Sequence, residues 1–136
     1  MAVLYTATVE SAGGRTGTIK SLDGALNIQI DKPTELGGPG GLPNPEMLFA
    51  ATYGACYGGA FKLVAERQGV SAPFTVLASA SLNQEGASMF ISVQLVVKAP
   101  GQDKTKIENI ANTAHSVCPY SKAIKGNVEV TIMVEV

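Results

Sequence analysis

Tryptophan is absent from this sequence of 136 residues, and histidine occurs once, at His115. Four Phe and four Tyr complete the aromatic set, too few for a surface on which nucleic-acid bases could stack. There is no basic excess either. Ten Lys and Arg stand against 11 Asp and Glu, a net charge of −1, so a run of phosphates could not be neutralised and nucleic-acid binding is not expected. Charged residues make up only 15%, where globular chains average about 25%. With 46% hydrophobic residues, the chain is too apolar to be disordered and too poor in charge to cover its whole surface. That shortage suggests a face buried against another subunit. The length predicts one domain, residues 1–136. Met1 to Glu10 has neither a basic n-region nor an apolar h-region, so no signal peptide is expected. The longest low-charge stretch, Met47 to Phe61, is too short and too rich in Gly and Ala to cross a bilayer. A cytoplasmic protein with no membrane partner is the expectation.

Familiar chemical motifs are also missing. One His and two Cys cannot build a strong zinc site. His115 and Cys118 are spaced i, i+3, but no second pair follows, so no metal is expected and His115 reads as a polar residue on a short helix. Gly37-Gly38-Pro39-Gly40-Gly41 is not followed by Lys-Ser/Thr and reads as a turn, not a phosphate loop. No dinucleotide fingerprint and no serine elbow are present, and no cofactor is implied.

The patterning that is present predicts an α+β fold with antiparallel strands. Val3 to Val9 alternates until Gly13-Gly14 breaks it, and Leu26, Ile28 and Ile30 alternate after the Asp23-Gly24 turn, which suggests a hairpin or meander. A Gly/Pro loop runs from Leu36 to Asn44. Asn44 then caps a long helix, with Pro45 at its first position, Glu46 in its first turn and Gly69 past its end at about Gln68. Its small and apolar residues lie on nearly all sides, so burial on nearly all sides is expected. Gly54 and Gly58 share a face, and interior helical Gly costs about 1 kcal/mol relative to Ala. A close backbone is expected there, and a symmetry mate's copy of the helix fits. Phe74 to Leu82 and Met89 to Val97 form a hairpin through Glu85-Gly86. Asp103 to about Val117 is a second helix, which Pro119 ends, and Val128 to Val136 is the last strand.

The chemistry left over lies in the two cysteines. Cys56 sits about eleven residues into the long helix, beyond the reach of that helix's N-terminus. In an apolar site its pKa would rise above about 8.5, and it would be an inert small hydrophobe. As a nucleophile it would need a cation. Of two arginines, Arg67 lies about three turns along the same helix, whereas Arg15 sits in the Gly-flanked Gly13-Gly14-Arg15-Thr16-Gly17. An Arg within about 4 Å lowers a thiol pKa by roughly 1–3 units. A buried Arg in turn needs a carboxylate, for which Glu46 is the candidate. Cys118 continues the apolar stripe of the second helix at its exit. A disulfide across this separation would contribute roughly 4 kcal/mol, but a reducing compartment opposes a permanent one.

Several segments resemble one family. They are Asn44-Pro45-Glu46-Met47-Leu48-Phe49-Ala50-Ala51, Ala55-Cys56, Cys118-Pro119-Tyr120-Ser121-Lys122-Ala123 and Gly126-Asn127, with Gly-Gly-Arg-Thr-Gly, Asp23-Gly24 and Glu35-Leu36-Gly37-Gly38 upstream. Together they resemble the organic hydroperoxide resistance (Ohr) branch of the OsmC/Ohr family over essentially the whole chain. Cys-Pro-Tyr-Ser favours that branch over its OsmC sisters. Met47 replaces the family's usual Gln, and Gly58 stands where bulkier residues are expected, which leaves pocket size open. The resemblance implies antiparallel sheets packed around a long central helix in an intertwined homodimer. It implies a thiol peroxidase for organic hydroperoxides, with Cys56 peroxidatic, Cys118 resolving, Arg15 and Glu46 activating, and dihydrolipoyl groups of a partner protein as reductant. Phe49, Tyr53, Phe61 and Met89 are candidate pocket liners, although core packing suits each aromatic as well. An OsmC-type peroxidase of broader peroxide use, and a non-catalytic dimer that binds a small ligand, are the alternatives.

Helix geometry adds one constraint. Ten residues separate Glu46 from Cys56 by about 15 Å along a straight helix and by about 280° around it. Either the helix breaks near Ala50, or Glu46 serves the Cys56 of the other subunit. The Gly-rich face favours the second.

Overall fold

Gly13 and Gly14 turn the chain back on itself at the N-terminal end, and a three-stranded antiparallel meander follows from that reversal. The computed structural model describes residues 1–136 in two compact units, Met1–Leu48 and Phe49–Val136. The first unit holds β1 (Val9–Ala12), β2 (Gly17–Ser21) and β3 (Asn27–Ile30), in the order β1-β2-β3. Ala12 lies opposite Thr18, and Ile19 opposite Ile28. In the second turn the Asp23 carboxylate accepts from Ser21 Oγ at 2.6 Å and from the Ala25 N–H at 2.9 Å. The expected strand over Val3 to Val9 is displaced, because β1 begins only at Val9. Alternation does not make a strand without a neighbour to pair with, and in the single chain Val3, Leu4 and Tyr5 are exposed.

Helix α1 (Pro45–Arg67) starts as its sequence dictates. Asn44 Oδ1 accepts from the Met47 N–H at 2.8 Å, which satisfies one of the first-turn donors. At the other end Gly69 takes φ +73. Its N–H bonds to the Glu66 carbonyl and the Val70 N–H to the Ala65 carbonyl, a Schellman ending one residue before the expected limit. Between these caps the helix has no break at Ala50.

The second unit pairs β4 (Thr75–Glu85) with β5 (Ser88–Lys98) in a hairpin closed at Gly86, φ +60. Helices α2 (Lys104–Val117) and α3 (Pro119–Ile124) follow, then β6 (Val130–Glu135). Asp103 caps α2 by accepting from the Lys106 N–H at 2.8 Å. The strands are not all antiparallel: β6 lies parallel to β5. A connection made of helices carries the chain back to the starting end of the sheet, so the next strand runs in the same direction. Helix α2 ends at Val117, as expected, but Pro119 does more than follow that end. Cys118 adopts an extended conformation (φ −62, ψ 124) that interrupts the helix, and Pro119 then opens α3 as its first residue. Proline fits there because the first helical N–H has no partner in any case.

The core of this unit joins one side of α1 to the sheet and to α2. Tyr53, Tyr57, Phe61 and Val64 pack with Leu95, Val97, Ile107, Ile110 and Cys118. Burial on nearly all sides of α1 does not hold in the single chain, where Ala51, Ala55, Gly59, Leu63 and Glu66 are exposed. The glycine face is also reassigned. A Cβ at Gly54 would meet the Ala78 side chain at 3.3 Å, and one at Gly58 would meet Phe74 and Val76 at 3.8 Å. These glycines therefore admit β4 of the same chain rather than a second α1. No helix is long and apolar enough to cross a membrane.

The buried Tyr57 hydroxyl donates to the Ala111 carbonyl at 2.7 Å and ties α1 to α2. Tyr57→Phe is expected to cost about 1 kcal/mol, read as a lower urea midpoint at unchanged m-value.

Candidate active site

Two thiols face each other inside the second unit. Cys56 lies in the middle of α1, and Cys118 at the extended joint between α2 and α3, with 3.8 Å between their sulfurs. Both are free. A disulfide requires about 2.05 Å, so the pair is in contact but unbonded. Cys118 is fully buried and Cys56 partly so.

Burial is the main influence on Cys56. Loss of water pushes its thiol pKa up, the backbone N–H of Tyr120 pulls it down, and contact with Cys118 favours the neutral form again. The Tyr120 donor belongs to the first turn of α3. The long helix cannot reach its own Cys56 with its N-terminus, but the start of another helix does. Pro119 carried the signal for this, because proline favours the first helical position as well as the end of a preceding helix.

A second polar group encloses the same joint. The Tyr53 hydroxyl lies 2.6 Å from Ser121 Oγ, and Ser121 Oγ lies 2.8 Å from His115 Nδ1. Tyr53 and Ser121 are buried. His115 is half-buried, and desolvation together with the charge of Lys125 holds its pKa below 6.5. His115 is thus bonded into the core, not an isolated polar residue. Ser121 escaped the sequence reading because six residues and a helix break separate it from His115.

The other expected pair forms within the first unit. Arg15 sits in the turn between β1 and β2, where a Cβ at Gly17 would collide with the Ala12 carbonyl. Thr16 Oγ1 donates to Asp31 at 3.0 Å and ties this turn to the end of β3. The guanidinium then grips Glu46 in two parallel bonds, Nη1 to Oε2 at 2.9 Å and Nη2 to Oε1 at 2.7 Å. This fork geometry is the strong form of the ion pair. It lowers the pKa of Glu46 and raises that of Arg15. Arg15 remains open, with 42% of its side chain exposed, while Glu46 keeps 12%.

The four candidate liners fall in different places. Phe49 packs edge-on to Tyr53 with ring centroids 6.2 Å apart, and Tyr53 stands 6.0 Å from Tyr120. Phe61 is buried against Phe74 at 4.6 Å. Met89, at the start of β5, is exposed. No cluster of metal-ligating side chains occurs.

Residues 38–133 match the model of the family described as OsmC-like protein. The chain belongs to the OsmC/Ohr family. Within the family it groups with the organic hydroperoxide resistance proteins. It is 43% identical to the organic hydroperoxide resistance protein of Xanthomonas axonopodis pv. citri, over 96% of this chain and 94% of that one. It is 40% identical to OhrB of Bacillus subtilis, over 95% and 96%. Among solved structures, an organic hydroperoxide resistance protein from Legionella pneumophila superimposes with a TM-score of 0.93 at 39% identity, covering 99% of this chain and 100% of that one. The OsmC/Ohr fold is thus the architecture of this chain, including its parallel β5–β6 pair.

The Arg15–Glu46 pair sets one pH dependence. Glu46 has a depressed pKa in the folded chain, so its contribution is present above about 4.5, the ordinary carboxylate value, and is lost as the pH falls through the lowered one. Solvent at Arg15 limits it to about 1 kcal/mol or less. Urea unfolding between neutral and acid pH is expected to show wild type losing its advantage over Glu46→Gln on the acid side.

Proposed function

We propose that this protein is a thiol-dependent peroxidase that reduces alkyl, aryl and fatty-acid hydroperoxides to alcohols and so detoxifies organic peroxides. The observation that carries the reading is the pair of free thiols 3.8 Å apart, one mid-helix and one at a joint. The names of the relatives point the same way. In the first step the Cys56 thiolate attacks the distal peroxide oxygen. The O–O bond breaks, Cys56 becomes a sulfenic acid, and the leaving alkoxide takes a proton to become the alcohol. In the second step Cys118 attacks the sulfenic sulfur, and the Cys56–Cys118 disulfide forms with loss of water. A dithiol then reduces the disulfide by exchange, and dihydrolipoyl groups on a partner protein are the proposed donor in the cytoplasm.

The raised Cys56 pKa means that the thiolate needs a cation. Arg15, held by Glu46, is the proposed one, and it would also stabilise the charge that develops on the alkoxide. Helix α1 is unbroken, and ten residues of helix advance about 15 Å. We therefore assign Arg15 and Glu46 to the Cys56 of a second copy. A homodimer is further supported by the exposure of Val3, Leu4, Tyr5, Leu77, Met89 and Phe90 on the single chain. Phe49, Tyr53, Phe61 and Met89 are the proposed apolar lining, suited to an alkyl or aryl group rather than to H2O2.

Stopped-flow oxidation by cumene hydroperoxide and by H2O2, followed by intact mass, tests the reading. The expected result is a loss of two hydrogens, reached much faster with the organic peroxide. Equal rates would favour a peroxidase of broader use, and an unchanged mass with both thiols free would reject catalysis. Cys56→Ser should abolish turnover. Cys118→Ser should undergo one oxidation and stall as a sulfenic or sulfinic acid. Mixing Cys56→Ser with Arg15→Met chains should restore part of the activity if the site is shared between copies, whereas a site within one chain would leave the mixture inactive.

A further inference from the structure

Three contacts run side by side where α1 meets the joint between α2 and α3. Cys56 and Tyr57 lie three and four residues after Tyr53, so both neighbour it on the surface of α1. The Tyr53 hydroxyl lies 2.6 Å from Ser121 Oγ of α3. The Cys56 sulfur lies 3.8 Å from that of Cys118, at the joint itself. The Tyr57 hydroxyl donates to the Ala111 carbonyl of α2 at 2.7 Å. As α1 advances, the facing chain runs back from Ser121 through Cys118 to Ala111. The thiol pair is thus bracketed by two tyrosine hydrogen bonds.

The two brackets do different things. Tyr57 fastens α1 to α2 alone, before the joint. Ser121 fastens all three helices, because its Oγ also lies 2.8 Å from His115 Nδ1. His115 belongs to the last turn of α2 and Ser121 to the first turn of α3, and Cys118 stands midway between them. A hydroxyl has one proton and two lone pairs, so Ser121 can donate to one partner and accept from the other. Ser121 is 3% exposed and Tyr53 0%, so water does not replace either partner. Without these bonds, the extended backbone at Cys118 is a place where α3 can turn relative to α2. With them, both helices are fixed to α1 on either side of the resolving thiol.

We propose that Ser121, through Tyr53 and His115, is a positioning residue that holds Cys118 within reach of Cys56, and thereby sets the reduction potential of the pair and the rate at which its disulfide closes. From 3.8 Å the sulfurs must approach by about 1.7 Å to reach a bond of about 2.05 Å. A joint free to turn would spend much of its time with Cys118 elsewhere. A group already held close to its attack geometry reacts as though at high concentration, so closure is faster and the bond harder to reduce. In closure the Cys118 sulfur bonds to the sulfenic Cys56 sulfur and the Cys56 S–O bond breaks. The hydroxyl and the Cys118 proton leave as one water, the thiol sulfur being oxidised and the sulfenic sulfur reduced.

This inference rests on the peroxidase reading, and the two fail in different experiments. The first measurement uses no peroxide. The protein is equilibrated with mixtures of reduced and oxidised dithiothreitol, and the Cys56–Cys118 disulfide fraction is read by intact mass. Ser121→Ala is expected to lower the equilibrium constant for disulfide formation about tenfold, a potential less negative by about 30 mV for two electrons. Tyr53→Phe, which keeps the ring and loses the hydroxyl, should shift it in the same direction. Ser121→Thr, which keeps the hydroxyl, should recover most of the wild-type value. Tyr57→Phe, which loses a buried hydrogen bond on the α2 side alone, should move it less than about twofold. In a single turnover with one equivalent of cumene hydroperoxide, the disulfide phase that follows Cys56 oxidation should be about tenfold slower in Ser121→Ala. An unchanged constant in Ser121→Ala and Tyr53→Phe, or a shift in the opposite direction, would overturn the proposal. So would equal shifts in Ser121→Ala and Ser121→Thr, or in Ser121→Ala and Tyr57→Phe, which would mean general loosening of the core. Wild-type protein whose Cys56 is not oxidised by the hydroperoxide would reject the peroxidase reading, while the dithiothreitol comparison would still decide the positioning role.

Discussion

Placing a thiol inside a protein makes it a poor nucleophile, and the constraints on this chain follow from that fact. Burial lifts the Cys56 pKa, and the contact with Cys118 lifts it further. The neighbours counter with a backbone N–H from Tyr120, delivered by a helix that begins one residue after Cys118. A cation is the stronger remedy. The chain has two arginines, and Arg15 is held in a fork by Glu46. A fork of this kind fixes the direction of the guanidinium as well as its charge, which suits a group proposed to meet a developing alkoxide.

The joint between α2 and α3 answers a second need, that one thiol approach the other without disturbing the core. Cys118 is the last residue before a proline and is extended, so no intrahelical hydrogen bond runs through its φ and ψ in the α2 direction beyond its own N–H to Ala114. Around it, Tyr53, Ser121 and His115 hold three helices in register through two hydrogen bonds. The sulfurs therefore rest in van der Waals contact, one on a rigid helix and one on a joint. That is the arrangement expected of a pair meant to bond and unbond, rather than of a permanent staple.

Much of this was legible in the residues. Asn44-Pro45-Glu46 defined the start of α1, Gly69 its end, and Gly86 the hairpin, because each acts through its own local geometry. Glu46 was a candidate partner for Arg15 because a buried cation needs a carboxylate, and the family resemblance implied the same pair; the fork forms although Arg15 keeps 42% of its side chain exposed. Other features depend on distant neighbours. Val3 to Val9 alternates as a strand should, yet within one chain β1 begins only at Val9, with the Thr8 carbonyl accepting from the Leu22 N–H just before it. Gly54 and Gly58 announced a close approach, but the approaching element is β4 and not a second helix. The parallel β5–β6 pair follows from the helical crossover, which strand periodicity does not encode. Ser121 and His115 could not be joined from sequence, because the turn of chain between them decides whether they meet.

The central claim is that Arg15 makes a buried Cys56 reactive, and a titration of that thiol tests it most directly. The thiolate absorbance of Cys118→Ser protein, followed against pH with Arg15 intact and with Arg15→Met, isolates Cys56. The account predicts that Cys56 ionises below the ordinary thiol value of about 8.5 when Arg15 is present and above it when Arg15 is removed. A Cys56 that ionises at or above that value with Arg15 intact would contradict the account.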